Sequence, residues 1–82
     1  MSDTKSTVVR EHQSSDFRMI RTTLERDARG RHQIRVTFCG KGKNGGWFEQ
    51  RSTSFLPSEA VAVSSSLDRA LDQLSRQTGD NQ

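Results

Sequence analysis

His32-Gln33-Ile34-Arg35-Val36-Thr37-Phe38-Cys39 alternates more regularly than any other part of the chain. One side carries His32, Ile34, Val36 and Phe38; the other carries Gln33, Arg35, Thr37 and Cys39. A period of two is the signature of a β-strand. Gly40-Lys41-Gly42-Lys43-Asn44-Gly45-Gly46 follows, and its Asn-Gly pair predicts a hairpin because both residues tolerate positive φ. Trp47 to Leu56 resumes as a strand, with Trp47, Glu49, Arg51, Thr53 and Phe55 set against Phe48, Gln50, Ser52, Ser54 and Leu56.

Upstream, Phe17-Arg18-Met19-Ile20-Arg21-Thr22-Thr23-Leu24 mixes aromatic, β-branched and basic residues without a helical stripe, which predicts another strand. Arg29-Gly30-Arg31 reads as the turn that follows it. Residues 1–15 are rich in Ser and Thr and are expected to be a disordered or weakly structured arm, in which Val8-Val9 is the one candidate for a short edge strand. Downstream, Pro57 stops the sheet, Ser58 is the expected N-cap, and Ala60, Val63, Leu67, Ala70 or Leu71, and Leu74 recur at helical spacing. Ser64-Ser65-Ser66 predicts a kink or fresh start within that helix, and the polar residues 78–82 a disordered tail. The expectation is one α+β domain over residues 16–77: a three- to four-stranded antiparallel sheet followed by a C-terminal helix, in ββββα order.

Composition narrows the function. Only 29% of the 82 residues are hydrophobic, and the single cysteine cannot form an internal disulfide. No apolar run approaches the roughly 18 residues of a membrane span, and the first residues lack the apolar stretch of a signal peptide, so a cytoplasmic chain without a membrane partner is expected. So thin an apolar content predicts that a second copy completes the core, with Val63, Leu67, Leu71 and Leu74 at the interface of a homodimer.

The net charge of +3 is unevenly spread. Residues 1–16 carry Lys5 and Arg10 against Asp3, Glu11 and Asp16, a net of −1. Residues 17–51 carry Arg18, Arg21, Arg26, Arg29, Arg31, Arg35, Lys41, Lys43 and Arg51 against Glu25, Asp27 and Glu49, a net of +6. From Pro57 onward Arg69 and Arg76 face Glu59, Asp68, Asp72 and Asp80, a net of −2. The excess therefore sits on the sheet. Basic side chains that follow a phosphate backbone, beside rings on which bases stack, are a physical solution for single-stranded nucleic acid. Arg21, Arg29, Arg31, Arg35, Lys41, Lys43, Trp47 and Arg51 are the candidate contacts, with Phe17, Phe38 and Phe48 as further rings.

Other chemistry finds no constellation. No nucleophile, base and orienting group assemble by spacing, so no catalytic residue is assigned and the chain is not expected to be an enzyme. His12, His32 and Cys39 lack the paired spacing of a zinc site, and the glycine-rich loop lacks both the order of a phosphate-binding P-loop and the helix that would follow it. Neither a metal nor a cofactor is expected.

From Ile20 to Leu71 the chain resembles the positive cofactor four family of transcriptional coactivators and their bacterial and phage relatives. The resemblance rests on a basic strand, the basic-glycine-basic turn Arg29-Gly30-Arg31, Ile34-Arg35-Val36, the glycine and lysine hairpin, then Arg51, Thr53-Ser54-Phe55, Pro57 and Glu59. It implies a curved four-stranded sheet, dimerisation through the helices, and single-stranded DNA held against the sheets. Thr37 stands where the family has an arginine and Ala60 to Val63 where it has an aromatic, so Arg29, Arg31 and Arg51 are the positions that coincide with its basic residues. Residues and resemblance together predict a homodimer that holds single-stranded or locally melted DNA, or RNA, as a transcription or replication accessory. The alternative is a small bacterial or phage regulator whose arginines meet an acidic surface of a larger protein partner, with no nucleic acid.

Overall fold

A computed structural model describes residues 5–80, and the surroundings of side chains from 5 to 77. The elements are β1 (Lys5–Ser15), β2 (Arg18–Arg26), β3 (His32–Lys41), β4 (Trp47–Phe55) and α1 (Pro57–Asp80). The strands form one antiparallel sheet in the order β1-β2-β3-β4, so the fold is α+β in ββββα order.

Both long hairpins turn in the same way. Asp27 and Arg31 close the β2–β3 connection, and Gly42 and Gly46 close the β3–β4 connection. Each loop holds its glycine in the left-handed region, Gly30 at φ 81° and Gly45 at φ 83°, which fits three-residue loops ending in a glycine bulge. Asn44 does not share the positive φ that an Asn-Gly type I′ turn requires.

Cross-strand register assigns the two sides of the sheet. Ile20, Thr22 and Leu24 of β2 lie beside Phe38, Val36 and Ile34 of β3, which pair with Arg51, Thr53 and Phe55 of β4. The helix runs along this side, where Ala60, Val63, Leu67 and Leu71 line an open groove with Ile34, Val36 and Phe55. The opposite, open side carries Met19, Arg21, Thr23 and Glu25 beside Cys39, Thr37, Arg35 and Gln33. The most buried side chains lie on this open side: Cys39 is 3% exposed, Thr23 and Thr37 5%, and Met19 7%. No described element covers them. Their screening comes from neighbouring side chains of a coiled sheet, for the strands are long and irregularities in β1 and β4 increase twist.

The structure corrects the sequence reading in several places. Residues 5–15, expected to be a disordered or weakly structured arm with at most a short edge strand at Val8-Val9, form an eleven-residue edge strand paired with β2, so the sheet begins at Lys5. The helix reaches Asp80, beyond the boundary expected at 77; residues 1–4 and 81–82 lie outside the described part. It starts two residues earlier than expected, with Pro57 first and the Leu56 amide donating to Glu59 Oε1 at 2.8 Å, so Leu56 and not Ser58 occupies the cap. The helix is also unbroken across Ser64–Ser66, where Ser66 Oγ donates to the Ala62 carbonyl at 2.9 Å and needs no helix break to be satisfied. In β4 a bulge at Gln50 interrupts the alternation: Phe38 pairs with Arg51 and Cys39 with Glu49. Trp47 and Glu49 therefore share a side with Ser52 and Ser54, and not with Arg51 and Phe55.

The helix side is unfinished. Val63, Leu67, Leu71 and Leu74 are all exposed, and no described side chain falls below 2% exposure. The radius of gyration is 16.2 Å, against about 12 Å for a compact chain of this length. The accessible surface of 6843 Å² compares with roughly 5,000 Å² for a compact 9.3 kDa monomer.

Candidate nucleic-acid interface

The eight predicted contact residues fall into separate groups. Arg21, Arg35, Lys41 and Trp47 belong to the open side of the sheet. Arg51 is on the helix side, its guanidinium 4.6 Å from the Phe38 ring centre. Arg29 and Arg31 lie in and beside the β2–β3 loop, and Lys43 lies in the β3–β4 loop. These loops stand at opposite ends of β3, whose ten residues span roughly 30 Å.

Along the strands and at the β2–β3 turn, carboxylates neutralise three of the arginines. Arg21 Nε donates to Glu11 Oε2 at 2.7 Å, and this bond raises the pKa of the guanidinium above its ordinary value. Arg35 Nε lies 3.3 Å from Glu25 Oε1, which also accepts from Gln33 Nε2 at 2.8 Å. Arg31 Nε donates to Asp27 Oδ2 at 2.9 Å, while the amides of Arg29 and Arg31 donate to Asp27 Oδ1. The Asp27 carboxyl is held below its usual range, first by the Arg31 amide and then by the Arg29 amide and the Arg31 side chain. Three of the predicted contacts thus have a local carboxylate partner, which weakens their claim on an external anion.

The β3–β4 end is different. Lys41 Nζ sits 5.5 Å from the centre of the half-buried Trp47 ring, a cation–π pair on the side away from the helix. Lys43 makes no ion pair among the described residues. The β1–β2 turn reaches the same end, because the Lys41 amide donates to the Phe17 carbonyl at 3.1 Å. Asp16, Phe17, Lys41, Gly42, Lys43 and Gly45 line an open depression there. Of the further rings named from the sequence, Phe17 is the one that this depression brings beside Lys41 and Lys43.

The metal-like set does not assemble. Cys39 is buried on the open side, whereas His12 and His32 occupy helix-side register positions, and no group of three metal-ligating side chains occurs among the described residues. No described helix is long and apolar enough to cross a membrane. No protein-family model, curated protein or solved structure matches the chain.

Proposed function

We propose that this protein is a homodimeric nucleic-acid-binding module that holds single-stranded DNA, as an accessory to transcription or replication and without turnover. The observation that carries the reading is the pairing of Lys41 with the Trp47 ring on the open side, beside the Lys43 loop. A ring with an adjacent ammonium offers a stacking surface for a base and a counter-charge for its phosphate. Arg29, in the turn at the far end, gives the strand a second basic contact, in line with the resemblance to positive cofactor four proteins. The uncovered helix side supports the second protomer, and the chain as a whole exposes roughly 1,800 Å² more than a compact monomer of its mass, an excess of the size that stable interfaces bury.

A fluorescently labelled single-stranded oligonucleotide titrated at several salt concentrations tests the reading. The logarithm of affinity is expected to fall linearly with log salt, with a slope reduced by about 0.7 in Lys43→Ala, and Trp47 emission is expected to be quenched. Absence of binding at about 50 mM salt would sink the proposal and favour a protein partner.

A further inference from the structure

Phe17 is 70% exposed, yet its backbone is fixed from both sides. Its amide donates to Ser15 Oγ at 3.2 Å, and its carbonyl accepts from the Lys41 amide at 3.1 Å. That second bond carries the β2–β3 ladder one residue past Arg18↔Gly40, so Phe17 stands opposite Lys41. Lys41 in turn stands opposite Trp47. The turn leading into β2 and the adjoining ends of β3 and β4 therefore bring ring, ammonium and ring to one level of the sheet. Arg18 and Lys43 add positive charge at this end, and Asp16 is the carboxylate in the depression beside Phe17.

Spacing gives this row a selectivity. Residues two strands apart are separated by about 10 Å, whereas successive bases in a duplex rise by roughly 3.4 Å. Neighbouring stacked bases cannot rest on both rings. A strand whose bases are unstacked can, and every base has a face to offer. We infer that Phe17 is a second base-stacking residue, paired with Trp47 across Lys41, and that this row selects unstacked single strands over duplex. The inference rests on the nucleic-acid reading above and adds to it a residue and a basis for strand selectivity.

The test uses the full-length protein and a fluorescent thymidine oligonucleotide of about 16 nucleotides, compared with a duplex of the same length. Phe17→Ala is expected to weaken single-strand binding roughly 5- to 150-fold with the salt slope unchanged, because a ring and not a charge is lost. Phe17→Trp should restore the affinity, which a merely unfolded turn would not allow, and the duplex should bind weakly to the unmodified protein. If the unmodified protein binds and its Trp47 is quenched while Phe17→Ala binds equally well, this inference fails and the function proposal stands. Equal affinity for duplex and single strand would also overturn it. If no oligonucleotide binds the unmodified protein, the function proposal itself is refuted.

Discussion

Leu67 and Leu71 provide the most direct test of the second protomer. They are 58% and 62% exposed in the single chain, although they line the groove against Ile34, Val36 and Phe55. Leu→Ala removes about three carbon groups at roughly 0.8 kcal/mol each when fully buried, so covering the exposed fraction is worth about 1.4 kcal/mol per site. In a two-fold dimer the double variant Leu67→Ala/Leu71→Ala changes four sites, a loss on the order of 5 to 6 kcal/mol and about four powers of ten in Kd. Helix propensity works in the opposite direction, since Ala is the best helix former. Sedimentation across a range of micromolar concentrations should show the unmodified chain at twice 9.3 kDa and the variant dissociating upon dilution. Urea unfolding should depend on protein concentration only for the dimer. A monomeric unmodified chain, or a variant with the dilution behaviour of the original, would refute the reasoning.

Three further outcomes follow from local geometry. Because the Asp27 carboxyl is depressed in the folded chain, its stabilisation is complete above the ordinary carboxylate range and is lost as pH falls through the lowered value. Melting temperatures measured between about pH 7 and 2 should therefore show a shallower acid decline in Asp27→Asn than in the original chain. Gly45→Ala should cost about 1 to 2 kcal/mol because a φ of 83° is strained for a side chain, even though nothing lies within 4 Å of the added carbon. Gly46→Ala, with equal room and no positive φ, should be neutral or slightly stabilising in the same melt, and equal losses at the two positions would contradict the turn assignment.

Much of the fold was legible where one side of an element differs from the other. The alternation of β3 and the apolar stripe of α1 are local properties, so residues 32–39 and 60–74 declare themselves in the sequence. β1 does not, because all eleven of its residues are exposed and its strand state depends on the backbone ladder offered by β2. Its charged residues and register shifts suit an edge, at the cost of any clear periodicity. The basic site was legible only as composition. Which arginines remain available depends on Glu11, Glu25 and Asp27, whose carboxylates meet Arg21, Arg35 and Arg31 through register and turn geometry. Phe17 joins Lys41 by the same kind of cross-strand relation, invisible to spacing along the chain.

The bulge at Gln50 decides which side of the sheet receives Trp47, and it makes an unusual prediction. Because Arg51 and Glu49 already face consecutive residues of β3, deleting Gln50 leaves the pairing on both sides unchanged. Trp47 should stay on the open side with Lys41, and its emission and quenching by oligonucleotide should persist. Gln50 itself packs over Gly40, its Nε2 2.6 Å from where a Cβ would stand, so its deletion forfeits a contact but moves no apolar residue to the wrong side. Deleting Ser52, two residues away in the regular part of the strand, has the opposite effect. With Arg51 held opposite Phe38, the slip carries Phe55 from the apolar side to the open side. That removes a side chain worth about 1.5 to 3 kcal/mol from the groove and pulls the start of the helix with it. The Ser52 deletion should therefore melt well below the Gln50 deletion and lose concentration-dependent stability. If the two melt alike, or if losing Gln50 alone shifts Trp47 to a different environment, the bulge does not set the two sides of this sheet.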